Sequence, residues 1–206
     1  MSDWIDRQLR RRGIEDERVL EAMARVPREL FVPPEARGLA YDDAALQLPF
    51  GQTISQPFVL AVLLQALALG GGERVLDVGT GSGYQAALLR ELAAEVVSVE
   101  RIPELAAQAR VNLAEAGFVD VDVRVGDGSL GAPDRAPFDA IAVAAAAPGI
   151  PRALVDQLAP GGRLVLPVRD ELVLVTGGRT TPLLPARFVP LVTGFPSPVA
   201  GDDHGG

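Results

Sequence analysis

The sequence has no cysteine and no lysine, and its single histidine, His204, lies close to the C-terminal end. Without cysteine it can form neither a disulfide nor a thiolate site for a metal or for nucleophilic attack. Without lysine it cannot form a Schiff base with a substrate. His204 lies in a Gly- and Asp-rich tail that we expect to be mobile, which argues against a Ser-His-Asp triad or a histidine metal site. Any catalysis must therefore rely on other groups.

Aromatic residues and long apolar runs are also scarce. Aromatic side chains make up 5% of the 206 residues, so we expect a core built mainly from Leu, Val and Ala. The longest apolar stretch, 58–69, is interrupted by Gln65 and is too short to span a bilayer. Residues 1–12 lack the apolar segment of a secretory signal. Because the net charge is −8, we expect no nucleic-acid partner and no membrane partner. Since the sequence shows neither a signal nor a membrane span, we expect a soluble cytoplasmic protein.

A glycine-rich loop follows one of the apolar runs. Residues 75–78 are predicted to form a strand, glycines alternate with Thr and Ser over 79–83, and a helical pattern begins at Tyr84. Such a loop brings backbone N–H groups close to a nucleotide-like ligand. A dinucleotide fingerprint would have its third glycine at position 84 rather than at Gly83, and a phosphate-binding loop would need Gly-Lys-Ser or Gly-Lys-Thr. Taken alone, the loop is a weak signal.

Strand and helix patterns alternate from residue 74 onward. The predicted strands are 74–78, 96–100, 120–125, 138–143 and 163–167, and the helices between them are 84–92, 103–116 and 151–158. This alternation predicts an α/β fold with a doubly wound, mostly parallel sheet. A hairpin of 171–176 and 183–192 around Gly177 and Gly178 would add an antiparallel edge.

The first part of the chain is predicted to form a helical cap. Helices are expected over 2–12 and 16–25, the second with Asp16 as its N-cap, and another over 57–69. We expect residues 42–50 to be irregular, and the polar segment 51–57 can be interpreted as a loop in which Thr53 or Ser55 caps the next helix. The whole chain is predicted to be one domain, with a cap and loop (1–56), a core (57–168), a hairpin (169–196) and a flexible tail (197–206).

Three acidic residues fall at or near the carboxyl ends of predicted parallel strands, where ligands bind in such sheets. They are Asp77, Glu100 and Asp127. Glu100 follows Gly79 at the offset expected of an acid that binds a ribose diol, because a carboxylate accepts hydrogen bonds from both hydroxyls. A single acid in such a place usually caps the next helix. Three of them beside the glycine loop favour a nucleoside-type ligand.

Several segments resemble a known enzyme class. Four segments resemble successive motifs of class I S-adenosylmethionine-dependent methyltransferases, whose fold is Rossmann-like. They are VLDVGTGSGYQAA at 75–87, SVERIPE at 98–104, VGDGSL at 125–130 and GGRLVLP at 161–167. More narrowly, RVLEAMARVPRELFVP at 18–33 and GQTISQP at 51–57 resemble the protein-L-isoaspartate O-methyltransferase family. The similarity extends from about residue 5 to about residue 193.

The resemblance implies a reaction and its partners. An isoaspartyl carboxylate in a damaged protein or peptide would take a methyl group from S-adenosylmethionine, leaving S-adenosylhomocysteine. The ester would collapse to a succinimide, whose hydrolysis returns part of the material to aspartate. No strong base is needed, because a carboxylate is already ionised at neutral pH. We expect the protein to act as a monomer.

The resemblance also implies site residues. Ser55 is the active-site residue, with its hydroxyl holding the substrate carboxylate. Glu100 is expected to bind the ribose, and Asp127 with Gly128 the adenine region. The full cofactor-binding set implied is Gln52, Thr53, Ile54, Asp77, Gly79, Thr80, Gly81, Ser82, Gly83, Glu100, Arg101, Asp127 and Gly128, and no metal is expected.

Two segments depart from the family pattern. Residues 44–50 lack the usual Pro-Leu-Pro-Ile-Gly-rich sequence, and residues 144–147 are richer in alanine than expected. We expect both to line a peptide groove, so the acceptor is less firmly indicated than the cofactor. Three alternatives remain open: an enzyme that forms aspartimide in one dedicated precursor peptide, a non-catalytic S-adenosylmethionine-binding module, and a small-molecule methyltransferase, which would leave 51–57 unexplained.

Overall fold

The computed structural model describes residues 3–194 of the chain. The strands in this range are β1 (Leu46–Gln47), β2 (Thr53–Ile54), β3 (Arg74–Val78), β4 (Glu95–Glu100), β5 (Asp122–Val125), β6 (Phe138–Val143), β7 (Leu158–Val168), β8 (Glu171–Thr176) and β9 (Arg179–Pro185). The helices are α1 (Asp3–Gln8), α2 (Glu17–Arg25), α3 (Pro57–Leu67), α4 (Tyr84–Leu92), α5 (Pro103–Glu115) and α6 (Arg152–Val155). Several short 3-10 turns connect them.

Strands β3 to β9 form one sheet in the order β5-β4-β3-β6-β7-β8-β9. The pairs from β5 to β7 are parallel, whereas β8 and β9 are added antiparallel. The strand order reverses at β3, which pairs with β4 on one side and with β6 on the other. The predicted α/β fold, with a mostly parallel sheet and an antiparallel C-terminal edge, is confirmed.

Apolar side chains pack on both faces of this sheet. On β3, Val75 belongs to the core shared with the N-terminal helices, whereas Leu76 and Val78 belong to the opposite core. Strand β6 is divided in the same way, with Ala140 and Ile141 on opposite faces. Because both faces are covered, the central strands are apolar at nearly every position.

The N-terminal helices pack on the first of these cores. Helix α2 begins at Asp16, whose carboxylate accepts the backbone N–H groups of Arg18 and Val19, as the sequence predicts. Helix α3 begins at Pro57, and neither Thr53 nor Ser55 forms a capping hydrogen bond with it. The predicted capping role of these two residues was therefore wrong. Gln56 occupies the N-cap position, and its side chain makes no capping bond.

Residues 42–50, predicted to be irregular, contain a short strand. Leu46 pairs with Ile54 and Gln47 with Thr53, so that β1 and β2 form a small antiparallel hairpin. Thr53 therefore lies in a strand, and Ser55 follows directly after it. The connecting turn contains Phe50 at a φ of 61°, in the left-handed region that a non-glycine residue rarely adopts.

Two predicted boundaries near the C-terminal end were wrong. Helix α6 ends at Val155 and β7 already begins at Leu158, because the Gln157 side chain turns inward and bonds the backbone of Leu130 and Ala132. The turn at 177–178 is where predicted, but β9 ends at Pro185 instead of covering 183–192. The expected tail, 197–206, lies outside the described residues.

Among residues 3–194, no helix has both the length and the apolar character needed to cross a membrane.

Candidate active site

The glycine loop lies between β3 and α4, at the carboxyl edge of the parallel strands. Gly79, Gly81 and Gly83 have φ values of 92°, 54° and 94°, which side chains disfavour. A Cβ on Gly83 would also lie 3.1 Å from the Leu113 side chain and 3.3 Å from the Ala109 carbonyl oxygen. Gly83 is therefore needed for close packing of α5, whereas Gly79 and Gly81 border an open cleft.

Glu100 ends β4 beside this loop, as the sequence predicts. Its Oε2 accepts the backbone N–H of Gly81 at 2.9 Å, and its Oε1 accepts that of Ile102 at 3.0 Å. Glu100 is buried yet lines the cleft. Because each carboxylate oxygen can accept a further hydrogen bond, Glu100 can hold the loop and still bind two hydroxyl donors of a ligand.

Asp77 does not line the cleft. Its Oδ1 accepts from Gln85 Nε2 at 2.7 Å and its Oδ2 from the Ser98 hydroxyl at 2.6 Å, while Ser98 also contacts the Thr80 hydroxyl. Burial raises the pKa of Asp77 to about 7, although the Ser98 and Gln85 hydrogen bonds oppose this rise. The carboxylate is fully buried, and its predicted contact with the cofactor stays a prediction. Asp77 joins β3, β4 and α4 beneath the glycine loop.

Asp127 follows β5 and faces the C-terminal segment. Its Oδ1 accepts from Ser129, and its Oδ2 accepts the backbone N–H of Gly194 at 2.6 Å. Burial alone would raise the pKa of Asp127, but these hydrogen bonds hold it below its ordinary value. Asp127 is not among the residues that line the cleft, whereas its neighbour Gly128 is. The predicted adenine contact of Asp127 stays a prediction.

The cleft brings together about half of the predicted cofactor residues. Those lining it are Gln52, Thr53, Gly79, Gly81, Glu100, Arg101 and Gly128. A narrower recess continues between the β2 segment and the glycine loop, and it is lined by Ile54, Ser55, Thr80 and Ser82 among others. Asp77, Gly83 and Asp127 contact neither space.

Sequence reasoning missed one wall of the cleft. Residues 189–192, predicted to belong to a strand of the hairpin, cross the sheet edge and line the cleft. They are held by two backbone hydrogen bonds, from Ala146 N to Val189 O and from Leu191 N to Ala146 O, each at 2.8 Å. Ala144 and Ala145 line this cleft as well, although they were expected in a peptide groove. No local pattern marks these contacts.

A second open cleft lies on the other side of Ser55. It is lined by Ala45, Thr53, Ser55, Gln56, Val59 and residues 185–188. Thr53 borders both clefts, and Ser55 borders this cleft and the narrow recess. The Ser55 hydroxyl forms no hydrogen bond with any other residue in 3–194, so it remains available to a ligand.

Comparisons with known proteins agree with this arrangement. The family model described as protein-L-isoaspartate(D-aspartate) O-methyltransferase matches residues 2–193. The chain belongs to this family. It is 53% identical over 201 residues to the protein-L-isoaspartate O-methyltransferase of Methanoculleus marisnigri, covering 94% of this chain and 91% of that protein. It is 62% identical over 164 residues to protein-L-isoaspartate O-methyltransferase 2 of Marinobacter nauticus, covering 80% and 75%.

A solved structure has the same fold as this methyltransferase. It is a Plasmodium falciparum protein described as a protein-L-isoaspartate O-methyltransferase, in complex with S-adenosyl-L-homocysteine. The TM-score is 0.82 at 27% sequence identity, and the match covers 93% of this chain and 97% of that one. Within residues 3–194 of this methyltransferase, no group of acidic or histidine side chains could hold a metal ion.

The buried Asp77 gives a prediction about stability and pH. Because its folded pKa is raised, the native state binds a proton more tightly than the unfolded chain between about pH 4 and pH 7, and stability falls as the pH rises through that window. Asp77→Asn cannot ionise, so it removes this pH-dependent fall in stability while keeping the shape of the side chain. We expect its free energy of unfolding, relative to wild type, to improve between pH 4 and pH 8 by at most roughly 4 kcal/mol.

Urea unfolding across this pH range measures the difference. Asp127→Asn is the matched control, because the folded state lowers the pKa of Asp127. Removing this carboxylate should lower the free energy of unfolding, relative to wild type, as the pH rises. Identical pH profiles for wild type and Asp77→Asn would contradict the prediction.

Proposed function

We propose that this chain transfers a methyl group from S-adenosylmethionine to the free carboxylate of isoaspartyl residues in proteins and peptides, which initiates their repair through a succinimide. The most direct support is that residues 53–55 lie between two clefts. A methyl transfer needs a donor and an acceptor that meet along one line. Thr53 borders both spaces, and Ser55 borders the acceptor side and the recess beside the glycine loop.

The residues of the first cleft fit the cofactor. Glu100 offers carboxylate oxygens to a ribose diol, and Val78, Val99 and Ile102 provide apolar walls for a base. When bound, S-adenosylmethionine supplies an electrophilic methyl group, and S-adenosylhomocysteine is the product. Gly79 and Gly81 leave room for a ligand to approach the backbone, since neither carries a Cβ.

The chain has little proton transfer to perform. The acceptor carboxylate is ionised at neutral pH, so the reaction needs no general base. Ser55 is proposed to donate its hydroxyl hydrogen to one carboxylate oxygen, which leaves the other oxygen directed at the methyl group. Residues 189–192 form one wall of the donor side. Catalysis then depends on orientation, which agrees with the lack of cysteine, lysine and a histidine within residues 3–194.

The second cleft is proposed to receive the peptide that carries the isoaspartyl residue. Its floor is Val59 and Phe188, and its rim carries Arg187, whose side chain is 94% exposed. Its lining joins apolar side chains to the Ser55 hydroxyl and a cationic rim, which suits a peptide that carries a carboxylate. A small-molecule methyltransferase is the less favoured alternative, because it would leave the 51–57 segment unexplained.

We propose that the protein acts as a monomer with a single domain. Light scattering should then give a mass near 21.6 kDa. The cytoplasmic location stays a prediction from the sequence.

The proposed activity is tested with two peptides that differ only in Asp or isoaspartate. With labelled S-adenosylmethionine, we expect base-labile methyl label on the isoaspartyl peptide alone, because only there does the free carboxylate have the required geometry. Tight cofactor binding without label on either peptide would instead indicate a dedicated precursor peptide. If calorimetry shows no cofactor binding, the enzymatic proposal fails.

Ser55→Ala tests the role of the hydroxyl. We expect kcat to fall by roughly 10- to 100-fold, the loss of one hydrogen bond to a charged group, while the affinity for the cofactor stays within about twofold. Ser55→Thr, which keeps a hydroxyl, should recover part of kcat. Equal losses in kcat and cofactor affinity would show that Ser55 only shapes the cofactor pocket.

Glu100→Ala tests the ribose contact. Removing the carboxylate should weaken cofactor binding in calorimetry by at least roughly tenfold, because hydrogen bonds to a charged acceptor and the anchor of the glycine loop are both lost. Glu104→Ala, at an exposed acid nearby on α5, is the control and should bind the cofactor normally. Unchanged affinity in Glu100→Ala would remove Glu100 from the site.

A further inference from the structure

Arg28 is a fully buried arginine without an acidic partner. Its exposed fraction is 0%, and it forms no ion pair with any carboxylate in residues 3–194. The adjacent Glu29 accepts the Tyr41 hydroxyl and forms no ion pair with Arg28. Burial lowers the pKa of Arg28. A buried and unpaired charge is costly, so its position calls for a specific role.

The guanidinium binds two backbone carbonyls from different segments. Nε donates to Ala40 O at 2.6 Å, and Nη2 donates to Ser55 O at 2.9 Å. Arg28 belongs to the 3-10 turn Arg28–Phe31 of the N-terminal cap. Its side chain therefore connects this cap with the main chain of the residue proposed to hold the substrate carboxylate.

The same guanidinium also packs against Tyr84, next to the glycine loop. Its Cζ lies 5.0 Å from the centre of the Tyr84 ring, and that ring packs on Phe31 at 5.5 Å between ring centres. Tyr84 begins α4, directly after the glycine loop. The Tyr84 hydroxyl is buried beside the guanidinium, which opposes the rise in the Tyr84 pKa that burial causes. Arg28 is thus fixed between the Ser55 segment and the loop that borders the cofactor cleft.

We propose that Arg28 is a positioning residue for methyl transfer, which holds the main chain at Ser55 at a set distance from the cofactor loop. A guanidinium suits this task because its donors are fixed in one plane and can bind two carbonyls at once. The small β1–β2 hairpin ends at Ile54, so no strand pairing restrains Ser55 itself. The inference rests on the proposed role of the Ser55 hydroxyl.

The experiment combines Arg28→Lys with Ser55→Ala. Lysine keeps the cation but donates from a single nitrogen, so it cannot span both carbonyls in the same way. We expect Arg28→Lys to lower kcat by roughly tenfold in the wild-type background and by less than about twofold in the Ser55→Ala background, because residues that act as a unit are not additive. Cofactor affinity and the KM for the isoaspartyl peptide should change by less than about threefold.

Arg18→Lys is the matched control. Arg18 also extends from the N-terminal cap to a backbone carbonyl, that of Leu92, but it lies away from Ser55, so kcat should not change. Arg28→Met, an apolar replacement of similar length, gives a second test if the lysine variant does not fold. Folding is judged by thermal unfolding and by cofactor binding.

The outcomes separate this inference from the proposed function. An unchanged kcat in a folded Arg28 variant, or an equal fold-loss with and without the Ser55 hydroxyl, overturns the positioning role. Those results leave the activity itself intact. If wild type does not methylate the isoaspartyl peptide, or if Ser55→Ala retains full kcat, it is the proposed function that fails.

Discussion

The parallel pairing of β3 with both β4 and β6 is the constraint on which the site depends. Because parallel strands end at the same edge, the loops after β3, β4, β5 and β6 meet there, and the reversal of strand order at β3 leaves a crevice between them. Gly79, Glu100, Gly128 and Ala144 come from four separate parts of the sequence, and all four line this crevice. A different strand order would separate them, whatever their individual chemistry.

The polar groups of the site serve mainly as supports. Glu100 holds two backbone amides, Asp77 lies beneath the loop in a buried hydrogen-bond network, and Arg28 binds two carbonyls. The acceptor carboxylate is already ionised in water, so the reaction needs no proton transfer. The hydrogen bonds of these groups can therefore serve to orient the two reactants. This accounts for a methyltransferase that has neither cysteine nor lysine.

Much of the fold could be predicted because its signals are local. The glycine loop, the N-cap at Asp16, the strands 74–78 and 138–143 and the turn at 177–178 each depend on a few neighbouring residues. The errors arose where distant contacts decide the structure. Helix α6 is shortened by the inward turn of Gln157, and residues 42–50 form a strand only because β2 is available to pair with it. The burial of Asp77 likewise depends on its partners in β4 and α4, which the sequence pattern does not show.

The sequence by itself determined the fold class, the family and the residue types that can take part in the chemistry, because periodicity, glycine placement and motif spacing are carried by neighbouring residues. Only the tertiary structure decided which acids face the cleft and that residues 189–192 form one of its walls. It also decided that Arg28 binds the backbone carbonyl of Ser55. These contacts join residues far apart in the chain, such as Gly194 with Asp127 and Ser55 with Arg28. Their geometry follows from packing on the shared sheet and cannot be derived from any single segment.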